Sequence, residues 1–136
     1  MTTYQKGKSK RISANFKTTE FDCKGRGCCL TTSIDPLLVV YLQRIRNHFK
    51  AAVIINSGYR CSKHNKAVGG SSGSKHRTGA AADIVVRGVS PRKVAQYAES
   101  IGIKGIGLYD TFVHIDTRTK KFYWYSHKQE RRNTFK

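Results

Sequence analysis

The segment SKHRTGAAAD, residues 74–83, sets His76 and Asp83 seven positions apart, with one glycine and three alanines in the interval. Imidazole nitrogen and carboxylate oxygen are both zinc donors at about 2.0–2.2 Å, and a catalytic zinc takes three protein ligands and leaves a fourth position to water. Gly79 and the alanines leave room for the backbone to pass close to a small ion. TFVHID, residues 111–116, offers a third donor, His114. On a strand, Phe112, His114 and Asp116 project to one face, which sets a carboxylate beside that donor. Asp116 is therefore the first choice of general acid/base for the water. Its other reading is a group that orients a metal-bound histidine from behind. Asp110, four residues before His114, is the second candidate base if the strand runs unbroken. Taken singly, His76 reads as a loop histidine, Asp83 as a strand-end residue and His114 as a hydrogen-bonded core histidine. Their joint spacing is what points to a metal.

These residues need a frame. Asp35-Pro36 opens a helix with Asp as N-cap, and Leu37, Val40, Tyr41, Ile45 and Phe49 recur through it at helical spacing. AAVIIN reads as a β-branched strand, followed by the Gly/Ser-rich loop VGGSSGS. AADIVV is a strand with Asp83 and Val85 on one face and Ile84 and Val86 on the other. Ser90-Pro91 caps a second helix, closed by Gly102. KGIGLYD, TFVHIDT and KFYWYS read as three more strands. This order predicts an α+β fold, a small single domain whose antiparallel sheet carries helices on one side. Residues 1–11 are expected as a basic flexible arm, 12–126 as the domain (loop-like over 12–35), and 127–136, with His127, as a basic tail.

Twenty-six Lys+Arg against eight Asp+Glu give a formal charge of +18. Such a surface attracts polyanions, whether nucleic acid, anionic lipid or an anionic cell wall. No apolar run is long enough to span a membrane, and the N-terminus MTTYQKGKSKR lacks the apolar stretch of a secretory signal. GGSSGSKH does not meet the spacing of a phosphate-binding GxxxxGK[ST] loop. KKFYWYSHK supports a rival reading as a nucleic-acid-binding module, with Tyr123, Trp124 and Tyr125 stacking on bases beside Lys120 and Lys121. Cys23, Cys28, Cys29 and Cys61 fit disulfides, a zinc knuckle of Cys23, Cys28 and Cys61 with His64, or free thiols.

SKHRTGAAAD matches in full the pattern S-x-H-x-x-G-x-A-x-D. With FKTTEFDCK, INSGYRCSKHNKAVGGSSGSKH and GIGLYDTFVHIDTR, the chain from roughly residue 14 to 118 resembles the zinc D-Ala-D-Ala peptidases, in their peptidase C-terminal domain branch. Relatives in that family include phage L-alanyl-D-glutamate endolysins and vancomycin-resistance dipeptidases. The resemblance implies a hedgehog/D-Ala-D-Ala peptidase-like fold and one catalytic zinc ion held by His76, Asp83 and His114. It also implies Arg60 as the cation that stabilises the oxyanion and contacts substrate, and Ser74 as a further substrate contact. Many relatives carry Glu three residues before the last histidine ligand, where this chain has Thr111. The implied activity is a metallopeptidase hydrolysing stem peptides or cross-links of bacterial peptidoglycan, as carboxypeptidase or endopeptidase. A phage lysis or virion protein, made in the cytoplasm and acting on the wall, is the expected setting, with anionic wall polymers as further partners of the basic surface. A catalytically inactive, zinc-containing wall-binding domain is the alternative that the missing Glu keeps open.

Overall fold

Alternation along each strand builds the central sheet of the protein, whose computed structural model describes residues 1–126 and 128–136; His127 lies outside the described residues. Six strands, β5 (Val53–Ser57), β6 (Ala81–Val86), β7 (Gly105–Leu108), β8 (Val113–Asp116), β9 (Phe122–Tyr125) and β10 (Glu130–Arg132), lie in the order β10-β9-β7-β8-β6-β5. Val53, Ile55, Ala82, Ile84, Val86, Ile106, Leu108, Val113, Ile115 and Tyr123 turn to one face and are buried in the core. Helices α1 (Pro36–Phe49) and α3 (Pro91–Ser100) cover that face. The opposite face carries Asp83, His114, Asp116, Trp124 and the glycines of β7. The fold is α+β, as the element order predicts.

The sheet departs from the expected antiparallel one at a single pair, since β7 and β9 run parallel. Both edges of β8 are occupied, by β6 and β7, and the chain leaving β8 adds to the nearer free edge, that of β7. A strand reversed relative to β8 is then parallel to β7.

Helix α1 begins as its sequence directs: the Asp35 side chain accepts from the Leu37 N–H at 2.9 Å, and Pro36 occupies the first turn. Its buried stripe is Leu38, Val39, Leu42 and Ile45, whereas Leu37 and Val40, assigned to the core by spacing, are 43% and 53% exposed. In the run LLVV either stripe satisfies helical periodicity, and packing selects one.

The terminal segments also differ from expectation. Instead of a free arm, β1 (Thr2–Gln5) pairs with β4 (Thr31–Ile34), and β2 (Arg11–Ser13) with β3 (Phe16–Lys17). The tail forms β10 and then buries Phe135, whose ring stacks 5.4 Å from Tyr123 while Glu99 accepts from its backbone N–H.

Candidate functional site

Pairing of β6 with β8 sets Asp83 directly opposite His114, so both side chains leave the same face. His76 reaches them from a 3-10 turn at Lys75–Thr78, capped by Ser74, whose hydroxyl oxygen accepts from the His76 N–H at 3.2 Å. Gly79 ends that turn with φ 76°, and a β-carbon there would collide with the Ser33 carbonyl. Only glycine suits this position, because it combines a left-handed backbone with close passage against β4.

His76 Nε2 and His114 Nδ1 lie 3.2 and 3.0 Å from the same oxygen, Asp83 Oδ1. The other nitrogen of each ring is already committed. His76 Nδ1–H donates to the Gly58 carbonyl at 2.7 Å, an oxygen that can only accept. His114 Nε2–H donates to Asp116 Oδ2 at 2.8 Å. In neutral rings these bonds leave a lone pair on each nitrogen that faces Asp83. Two lone pairs and a carboxylate oxygen then converge with no proton between them, which a cation relieves; the donor set of two imidazoles and one carboxylate suits zinc. Without a cation, protons on the facing nitrogens take its place: burial disfavours the Asp83 charge, but the hydrogen bonds then donated by His114 and His76 outweigh it and hold the carboxyl well below its usual range. For His114, burial is outweighed by its bonds to Asp116 and Asp83, and its pKa rises.

Asp116 stands behind His114, away from the cleft. It is fully buried, and the Arg118 side chain grips both its oxygens, from Nε at 2.8 Å and Nη2 at 2.7 Å. Burial raises the pKa of this carboxyl less than His114 and Arg118 lower it. Both oxygens are thus taken up in holding the ring. Asp110 does not join the site: β8 begins only at Val113, and Asp110 is exposed in the preceding turn. Thr111, beside it, is exposed as well.

The three donors open into a cleft of about 600 Å³, also lined by Arg60, Ser74, Tyr109, Phe112 and Trp124. Arg60 Nη2 sits 3.8 Å from Asp83 Oδ2 and Nη1 donates to Asn65 Oδ1 at 3.2 Å. Its buried Nε–H finds no acceptor among the described residues. Burial lowers the pKa of this guanidinium, which retains hydrogen-bonding capacity toward a ligand.

Several site residues carried no signal of their own in the sequence. Trp124 lies against His114, with ring centroids 5.0 Å apart, and donates from Nε1 to the Tyr109 hydroxyl at 3.0 Å. Gly58 holds the outer nitrogen of His76 directly, and Arg118 acts on His114 only through Asp116. In KGIGLYD, a β-carbon on Gly105 would overlap the Asp116 carboxylate, and one on Gly107 the Trp124 indole. Two glycines at strand spacing beside an H-x-D strand were the available clue to large side chains lying across β7. Burial also removes the stacking platform of the nucleic-acid reading, because Tyr123 and Trp124 are each 4% exposed and Tyr125 packs against the core.

No match was found among curated proteins. The model of the Peptidase M15 family matches residues 14–116, a span that contains Arg60, the whole SKHRTGAAAD segment and strand β8. The chain therefore belongs to the Peptidase M15 family, zinc-dependent metallopeptidases of the D-Ala-D-Ala carboxypeptidase-like type, and its His76, Asp83 and His114 form a group able to hold a metal ion.

Proposed function

We propose that this protein is a zinc peptidase that hydrolyses amide bonds of peptidoglycan stem peptides or cross-links, with His76, Asp83 and His114 as the metal ligands. The observation that carries this reading is the convergence of those three donors at the floor of a cleft, with the outer nitrogen of each histidine already bonded. Zinc bound there supplies a Lewis acid for the amide carbonyl and a nucleophilic water near neutral pH.

The chain's own residues prepare the reaction. Gly58 and Asp116 fix the tautomer and orientation of the two rings. Asp116 is on this reading a positioning residue, since both its oxygens face His114 and Arg118. The Arg60 guanidinium meets the negative charge that develops on the carbonyl oxygen, where a preoriented cation is worth most. Ser74, at the rim, contacts the peptide, and Phe112 and Trp124 add apolar patches to a mainly polar wall. In the net reaction water adds to the carbonyl carbon, the C–N bond breaks and the leaving nitrogen gains a proton.

A basic shelf of Lys75, Arg118, Lys120, Lys121 and Arg131 adjoins the cleft and shares Lys75, Arg118 and Phe122 with it. It suits a substrate rich in carboxylates, or a wall carrying phosphate polymers. An endolysin role fits this surface. A second reading has its own support: among the described residues that line the cleft, Asp83 is the one carboxylate, which suits a domain that binds the wall without cutting it.

The test is release of new amino groups from purified peptidoglycan, with chelator and then with zinc restored, the fragments being identified by mass. Zinc-dependent release is expected, and the masses name the bond. A zinc-loaded protein that sediments with peptidoglycan yet releases nothing overturns the peptidase reading in favour of the binding one.

A further inference from the structure

We propose that Cys23, Cys28, Cys29 and Cys61 form a second metal site, a structural zinc bound by four thiolates. The sulfurs of Cys23 and Cys28 are 3.7 Å apart, those of Cys28 and Cys29 3.7 Å, and those of Cys23 and Cys61 3.8 Å. All four lie within 4.8 Å of one another. A disulfide needs about 2.05 Å between sulfurs. Four sulfurs held about 2.3 Å from one zinc occupy tetrahedron corners with edges of about 3.8 Å, the separation of the three pairs just given. The fourth corner is Cys29 rather than His64, whose part is to donate its backbone N–H to Cys61 Sγ at 3.4 Å.

Local structure is shaped around the cluster. A β-carbon on Gly25 would stand 2.6 Å from Cys28 Sγ and 3.0 Å from His64 Cβ, so the loop closes only with glycine there. Gly27, at φ 62°, turns the chain so that the adjacent Cys28 and Cys29 both face inward. Lys6 Nζ donates to the Gly25 carbonyl at 2.9 Å and lies 3.9 Å from Cys29 Sγ, a cation beside a group that would carry net negative charge. Four ligands and two buried thiols describe a closed, structural site, unlike the three-ligand cleft.

The cluster lies where the N-terminal segment meets the loop behind the cleft. Cys61 follows Arg60 directly. Phe21 accepts from the Tyr59 N–H at 2.9 Å, the Arg60 N–H donates to the His76 carbonyl at 2.9 Å, and Gly58 accepts from His76 Nδ1. Zinc at the cysteines ties residues 23–29 to this loop and so holds Arg60 and His76 in place.

The experiment measures metal in the full chain, purified under reducing conditions, as wild type and as the His76→Ala/Asp83→Ala double variant. The double variant should keep one zinc per chain, X-ray absorption should show it surrounded by four sulfurs at about 2.3 Å, and cobalt in its place should give strong thiolate-to-metal charge-transfer absorption. Adding Cys61→Ser should remove that metal. A double variant without zinc, zinc bound through nitrogen or oxygen, iron in its place, or a mass short of the hydrogens of a disulfide overturns the proposal. The sulfur-specific signals do not depend on hydrolysis, so failure here is separable from failure of the peptidase reading.

Discussion

The histidine cluster and the cysteine cluster lie on either side of the loop at residues 58–61, and they are built in opposite ways. Asp83 and His114 come from paired strands of the central sheet, where register alone places them face to face. The cysteines come from a glycine-bearing loop and the cap of the short helix α2 (Ser62–Ala67), where turns and close packing, not strand register, bring the sulfurs together. The first is prearranged and opens into a cleft. The second is closed and has no regular scaffold of its own. On the two proposals the contrast is between ligands carried by sheet register, which leaves a coordination position open, and ligands drawn from loops that a bound ion would tie together.

The largest effect that could break this contrast is at His76. His76→Ala should lower peptidoglycan hydrolysis by about a thousandfold or more, leave the far-ultraviolet circular dichroism intact and spare the cysteine-bound metal. Loss of the fold along with the activity would mean that the sheet cluster is structural too. Asp116→Asn comes next, with a drop of about 10- to 100-fold in zinc affinity or turnover. Titration of zinc into the variant separates the roles, since unchanged affinity with a lost limb of the pH–rate profile would make Asp116 the base. Gly105→Ala should destabilise the chain by about 1–3 kcal/mol in denaturant unfolding, because the added methyl meets the buried Asp116 carboxylate. A neutral result would show that the Asp116–Arg118 pair can move. Asp110→Asn should do least, leaving turnover unchanged and stability within about 0.5 kcal/mol; a large fall in rate would return the exposed carboxylate to the site.

Local order was legible wherever a residue's own chemistry dictated it. The helix starts at Asp35-Pro36 and Ser90-Pro91 and the alternation through AADIVV and VHID follow from capping and period, and each appears in the fold. His76 and Asp83 could be paired as donors because they share one short segment. Other features were not legible because they depend on contacts between distant segments. The buried stripe of α1 turned on which side of LLVV met the sheet. The order of the terminal segments came from pairing with β4 and from Phe135 finding Tyr123.

The sequence by itself determined the donor types, the strand faces that present them and the α+β element order, since these rest on neighbours a few residues apart. Tertiary structure alone decided that Asp116 grips the back of His114 with Arg118, that Asp110 stays outside, that Trp124 crosses Gly107, and that Cys29 rather than His64 completes the sulfur cluster. Each of those outcomes depends on which strand lies beside which and how closely two backbones approach, and a linear spacing carries neither quantity.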